Sequence, residues 1–161
     1  ESTPGKGSTF HFTVHLEWRG EAAPRVKSQE IVRPTCVLRL LLVEDNRVNQ
    51  RLARKPLERS GHRVTLAENG LQALEACAQS EFDVILMDVQ MPEMDGLEAT
   101  RLLRARNNKT PIVAMTARAM TGDEKICREA GMNGYITKPF EEKHLARALA
   151  EACSMNAPTP R

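Results

Sequence analysis

The sequence predicts an α/β fold, a doubly wound parallel sheet of five (βα) units, and three observations carry that reading. From Val37 onward short apolar runs alternate with amphipathic stretches of helical length, the pattern of strands covered by helices on both faces of one sheet. Four of the runs end in polar residues: Glu44-Asp45 after Leu40-Leu41-Leu42-Val43, Asp88 after Val84-Ile85-Leu86-Met87, Thr116 after Ile112-Val113-Ala114-Met115, and Lys138 after Tyr135-Ile136-Thr137. One run, Arg63-Val64-Thr65-Leu66-Ala67, is more polar than the rest, as suits a strand at a sheet edge.

The chain begins with Pro4-Gly5-Lys6-Gly7-Ser8-Thr9, a flexible Gly/Ser stretch. Phe10, Phe12, Val14 and Leu16 then alternate with His11, Thr13, His15 and Glu17, the period of a strand with one buried face, which points His11 and His15 outward. Residues 19–35, rich in Ala, Pro and charge, read as a linker. Strands are expected near 37–43, 63–67, 83–87, 111–115 and 134–137, and helices near 47–60, 70–79, 95–105, 121–130 and 141–152. Placing the polar second strand at the edge gives the flavodoxin-like order 2-1-3-4-5. Strands one and three then lie side by side at the topological switch point, where ligands bind at the carboxyl ends of the strands.

Composition narrows the function. The 161 residues are 41% apolar and 27% charged with a formal charge of +2, an ordinary globular balance. Lys and Arg are spread along the chain, so composition makes no case for nucleic acid or an anionic membrane, although folding could still gather a basic stripe. No apolar run approaches the roughly 20 residues that span a bilayer, and Glu1-Ser2-Thr3-Pro4-Gly5 has no signal-peptide character, so a cytosolic chain is expected. Cys36, Cys77, Cys127 and Cys153 have no zinc spacing and are read as reduced packing residues.

The strand ends bring Glu44, Asp45 and Asp88 into one crevice with Thr116 and Lys138. Three carboxylates repel one another unless a cation or a raised pKa relieves them, and a hard divalent ion is the simpler relief. Mg²⁺ prefers oxygen ligands and usually takes one or two carboxylates beside phosphate oxygens. Asp45 and Asp88 are assigned as direct ligands, Glu44 as the holder of a coordinated water, and Gln90 as the donor of a backbone carbonyl. Asp88 can then attack phosphorus in line, while the metal and Lys138 neutralise the phosphoryl oxygens. The Thr116 hydroxyl is placed to bond the new group and draw the following loop inward. Taken singly, a Glu-Asp after a strand is more often a helix cap. Their joint occurrence at four strand ends is what points to a site.

Over Val37 to Ala152 these residues resemble the receiver domain of two-component response regulators. The resemblance rests on Leu42-Val43-Glu44-Asp45-Asn46, Met87-Asp88-Val89-Gln90-Met91-Pro92-Glu93-Met94-Asp95-Gly96, Ala114-Met115-Thr116-Ala117 and Gly134-Tyr135-Ile136-Thr137-Lys138-Pro139-Phe140. It implies that Asp88 accepts phosphate from a phosphohistidine with Mg²⁺ held by the acidic pair, and that Thr116 and Tyr135 form a switch pair. Residues 1–12 resemble the last glycine-rich box and final strand of a histidine kinase ATP-binding domain. The two resemblances imply a hybrid sensor histidine kinase, divided here as a kinase remnant (1–18), linker (19–36), receiver (37–153) and polar tail (154–161).

Such a receiver takes phosphate from the phosphohistidine domain of its own kinase and passes it to a histidine phosphotransfer protein. It catalyses only its own phosphorylation and dephosphorylation, and with no output domain after Ala152 it is expected to act through a partner or back on the kinase. The parent kinase could be membrane-anchored by other segments, and a homodimer through the fourth strand, fourth helix and fifth strand stays open. Two other classes compete. A phosphatase of the haloacid dehalogenase type would place Asp where Gln90 stands, and a pseudo-receiver binding module would not need the complete acid set. Gln90 and Arg118 are expected to flank the path of attacking water.

One departure from the family lies in the first helix, which has Pro56 and Ser60 at positions normally apolar. Proline removes the bond to the Leu52 carbonyl and costs about 3 kcal/mol inside a helix, so a kink or break near Lys55 is expected, on a helix that in the family helps to dock phosphotransfer partners. Pro56→Leu is expected to raise the melting temperature measured by circular dichroism; an unchanged value would mean that the surrounding structure accommodates the proline.

Overall fold

The computed structural model describes residues 2–3, 7–8, 13, 37–117, 123–139 and 141–155, in two units, Glu1–Glu30 and Ile31–Arg161. In the first, β1 (Ser2–Thr3) pairs antiparallel with β2 (Gly7–Ser8). The strand expected over Phe10 to Leu16 falls outside the described residues except for Thr13, which is in no strand. The expected linker and Cys36 lie outside them too.

The second unit alternates strictly: β3 (Arg39–Val43), α1 (Arg47–Arg59), β4 (Arg63–Ala67), α2 (Gly70–Gln79), β5 (Val84–Asp88), α3 (Gly96–Ala105), β6 (Ile112–Thr116), α4 (Asp123–Ala130), β7 (Gly134–Thr137) and α5 (Glu142–Met155). The five strands pair in parallel in the order β4-β3-β5-β6-β7. This is the flavodoxin-like order 2-1-3-4-5, with the polar strand β4 at an edge. Every element of this second unit lies where the sequence places it, and the largest shift is the end of α5, at Met155 rather than 152.

Alternation along the strands divides the core between two faces. Leu40, Leu42, Val84, Leu86, Val113, Met115 and Ile136 pack with Ala53 and Leu57 of α1 and Leu145, Leu149 and Ala152 of α5. Leu41, Val43, Ile85, Met87, Ile112 and Ala114 pack with residues of α2, α3 and α4, including Ala73, Leu103 and Cys127. β5 is buried along its whole length, as a central parallel strand must be. Cys127 is a core residue, and Cys77 and Cys153 are half-buried thiols.

Side-chain caps start three of the helices next to the strand ends. Asn46 Oδ1 accepts the Val48 amide at 2.8 Å, Asn69 Oδ1 the Gln72 amide at 2.9 Å, and Asp95 Oδ1 the Glu98 amide at 2.7 Å; each satisfies an amide that the helix leaves unpaired. Of the kink or break expected near Lys55, the break does not occur, because α1 runs unbroken from Arg47 to Arg59. Pro56 stands in the last turn, where few bonds are left to lose. Leu57 is buried in the core, and the Pro56 carbonyl accepts the Ser60 amide at 3.0 Å, so packing and the terminal turn hold the helix.

At the end of the sheet away from the carboxylates, Arg104 of α3 ties three segments together. Its guanidinium donates to the carbonyls of Asn108 (2.7 Å), Thr110 (2.9 Å) and Gly131 (3.0 Å) and to Asn133 Oδ1 (2.9 Å). Burial pushes its pKa down, and among the described residues no carboxylate pairs with it. Arg104→Met keeps the stem and strands these acceptors, so stability measured by urea denaturation is expected to fall by about 1–3 kcal/mol.

Candidate functional site

Glu44, Asp45 and Asp88 come together at the carboxyl ends of β3 and β5, with one carboxylate oxygen of each within 4.8 Å of the other two. The approach follows from topology, since β3 and β5 pair directly with Val43 opposite Met87. Glu44 and Asp88 are almost wholly buried, whereas Asp45 is exposed. Asp88 is the last residue of β5 rather than the first after it.

Lys138 reaches this cluster from the end of β7. Its ammonium donates to Glu44 Oε2 at 2.5 Å and to Asp88 Oδ2 at 2.6 Å. Its backbone N–H donates to the Thr116 carbonyl at 2.7 Å, binding the ends of β6 and β7 together. The Lys138–Pro139 peptide bond is cis. Thus the structure brings Glu44, Asp45, Asp88 and Lys138 into one cluster and puts Thr116 at its border through the main chain.

Burial and charge act against each other here. Burial pushes the Asp88 carboxyl above the usual carboxylate range, and neighbouring Glu44 pushes the same way; the hydrogen bond and charge of Lys138 and the Gln90 amide oppose this without cancelling it. For Lys138 burial is the largest single influence and lowers its pKa, but the combined bonds and charges of Asp88 and Glu44 outweigh it and hold the ammonium pKa above its ordinary value. Opposite charges and burial are expected to act this way.

Two residues of α1 support the cluster and were not singled out in the sequence. Asn49 Nδ2 donates to Glu44 Oε1 at 2.9 Å, and Gln50 Nε2 donates to the Glu44 carbonyl at 2.7 Å. Gln50 is buried on the same helix face as Ala53 and Leu57. A polar residue on an otherwise apolar helix face was the signal available for it, because a buried amide needs a partner. The Gln90 amide donates to Asp88 Oδ1 at 3.2 Å, so the loop after β5 is folded back on the aspartate. Beside Asp45, residues Val89, Gln90, Met91, Pro92, Asp95 and Leu97 line an open cleft of about 580 Å³.

Gly96, at the start of α3, has a steric role. A Cβ there would lie 2.0 Å from the Asp88 carbonyl oxygen, so α3 can approach β5 this closely only without a side chain at that position. Tyr135 on β7 is 44% exposed and directed outward. Arg118 lies outside the described residues.

The donor set fits a hard divalent cation. Three carboxylates and one ammonium carry a formal charge of −2, and all the side-chain donors that converge are oxygens, the chemistry of Mg²⁺ rather than of a softer metal.

Comparison with known proteins agrees with this geometry. The model of the response regulator receiver domain family matches residues 40–150. The sensor histidine kinase AruS of Pseudomonas aeruginosa is 39% identical over 155 residues, which is 94% of this chain but 15% of AruS. The chain therefore spans a small part of that relative's length. The receiver domain of sensor histidine kinase PA1611 from Pseudomonas aeruginosa PAO1, solved with a magnesium ion in its active-site cleft, is 43% identical with a TM-score of 0.69, covering 74% of this chain and 99% of that one. The co-crystal structure of the Saccharomyces cerevisiae histidine phosphotransfer protein Ypd1 with the receiver domain of Ssk1 matches at 28% identity and a TM-score of 0.71, covering 76% of this chain and 92% of that one. The chain belongs to the response regulator receiver domain family.

Proposed function

We propose that this chain is the phosphoacceptor receiver of a hybrid sensor histidine kinase: Asp88 accepts a phosphoryl group from a phosphohistidine in a Mg²⁺-dependent reaction, and the group then passes to a histidine phosphotransfer protein. The observation that carries this reading is the convergence of Glu44, Asp45 and Asp88 within 4.8 Å around the ammonium of Lys138. In the transfer an Asp88 oxygen bonds to phosphorus as the phosphorus–nitrogen bond of the donor breaks, and the electron pair leaves on the imidazole nitrogen. Asp45 and Asp88 would hold Mg²⁺ directly, with Glu44 acting through a water and Gln90 through its backbone carbonyl. When bound, the ion neutralises charge on the phosphoryl oxygens.

The chain's own groups do the rest. Lys138 already lies against Asp88 Oδ2, so its ammonium can move to a phosphoryl oxygen as charge passes to that group. The Thr116 hydroxyl then bonds the phosphoryl group, and Tyr135, now outward, turns in behind it. A homodimer through β6, α4 and β7 belongs to the same reading, as does a cytoplasmic site of action.

The similarity to AruS reaches beyond the receiver, covering 94% of the chain where the family model begins at residue 40. This supports residues 1–18 as the end of a kinase ATP-binding domain, joined by a linker over 19–36.

Incubation with Mg²⁺ and acetyl phosphate is expected to add one phosphoryl group by intact mass to the wild type and none to Asp88→Asn, with beryllofluoride shifting the amides of Thr116 and Tyr135. Modification of Asp88→Asn at the wild-type level would overturn the assignment. Mg²⁺ affinity, followed by amide shifts, is expected to fall on acidification from above the ordinary aspartate range. The proton competes with the metal for Asp88, whose buried carboxyl takes it up at a higher pH than a free one.

A further inference from the structure

The loop from Val89 to Asp95 leads from Asp88 into α3, and one residue in it departs from ordinary backbone. Glu93 has a φ of 67°, in the left-handed region that glutamate seldom enters because its Cβ crowds the following carbonyl. Asn107, the other such non-glycine residue among the described residues, is of a type that tolerates this conformation. A strained backbone of this kind persists where the surrounding structure enforces it.

The enforcing contacts come from the amino end of α2. Glu93 Oε2 accepts the side-chain amide of Asn69, 24 residues earlier, at 2.6 Å, and the Met94 carbonyl accepts the Gly70 N–H at 3.2 Å. The orientation of Asn69 is fixed by its other bond: Oδ1 accepts the Gln72 amide as the cap of α2, so Nδ2 is left to donate. Gln72 Oε1 in turn accepts the Glu68 amide at 2.8 Å, which closes the turn from the other side. Gly70 makes the approach possible, because a Cβ there would lie 2.6 Å from Met94 Cγ and 2.9 Å from the Met94 carbonyl oxygen. Helix α2 thus grips two consecutive residues of a loop whose near end is tied to the site by the Gln90 amide, bonded to Asp88 Oδ1 at 3.2 Å.

We propose that Asn69 and Glu93 are positioning residues of the phosphoryl site: their bond clamps the loop after Asp88 and so holds the Gln90 backbone at the aspartate. They act through the loop rather than on the reacting atoms. The consequence for metal binding rests on the reading that Gln90 offers its carbonyl to Mg²⁺, whereas the clamp itself does not. A loop already held in place loses less freedom when it takes up a ligand, so release of the clamp weakens binding without unfolding the domain. Exposed pairs of side chains often contribute little. This pair has something to hold, since the left-handed Glu93, the second bond at Met94 and the bare Cα of Gly70 all serve the same approach.

The test exchanges donor and acceptor in the full chain. Asn69→Asp keeps an oxygen for the Gln72 amide, and so the cap, but sets a second carboxylate against Glu93; Glu93→Ala removes the acceptor. In both variants the Gln90, Met94 and Gly70 amides are expected to exchange with solvent about three- to tenfold faster, as the loss of one hydrogen bond predicts. Mg²⁺ binding, followed by amide shifts, is expected to weaken about threefold, with the urea midpoint unchanged. The two substitutions alter the local charge in opposite directions, so a fall in affinity shared by both does not come from charge. The double variant N69D/E93Q restores the bond with its donor and acceptor reversed, at the wild-type charge, and is expected to return both readouts. Wild-type exchange in Asn69→Asp, or a double variant no better than Asn69→Asp alone, would overturn the proposal and leave Asn69 as a helix cap. So would a urea midpoint that falls in step with the affinity. If the wild type takes up no Mg²⁺, the metal reading of Gln90 falls, while exchange at the three amides still decides the clamp.

Discussion

The ammonium of Lys138 between the buried carboxylates of Glu44 and Asp88 is the interaction on which the site depends. Two acids almost without solvent contact and a third beside them would repel strongly, because burial weakens screening by water. Lys138 offsets part of that repulsion with two close charge-assisted bonds. It leaves a net negative cluster, which is the condition for recruiting a divalent cation. The same residue links β7 to β6 through its main chain, so the ammonium that offsets the repulsion is anchored by the sheet itself.

The two buried carboxylates are held in place by backbone or by a neighbouring amide. Glu44 accepts from Asn49 along its side chain and from Gln50 at its carbonyl. Asp88 accepts the Gln90 amide and has α3 packed against its carbonyl through the bare Cα of Gly96. Such support lets the acids stay in a geometry that solvation and repulsion would otherwise spread, which is the usual condition for a preorganised site. Helix α1 thus takes part in the site from its buried face, where Gln50 positions an acid.

Away from the site the fold is tied by different means. Arg104 satisfies carbonyls from the loops before β6 and β7 with one guanidinium, so the amino ends of these strands are tied by neutral acceptors. The carboxyl ends are tied by charge.

Strand and helix placement was legible because burial on both faces of a parallel sheet demands near-continuous apolar runs, and amphipathic stretches between them leave little choice of period. The meeting of Glu44, Asp45 and Asp88 was legible for a related reason: strand order places the ends of β3 and β5 side by side. Three things were decided only in three dimensions. The passage of α1 through Pro56 depends on Leu57 being buried and on where in the helix the proline falls, which local propensity does not contain. The support of Glu44 by Asn49 and Gln50, and the bridging of two acids by Lys138, depend on side chains meeting across 94 residues of sequence in the longest case. The cationic face of α1 is the plainest example. Its bases are unremarkable in a chain with Lys and Arg throughout, and they become a surface only because the core takes the opposite side of the helix.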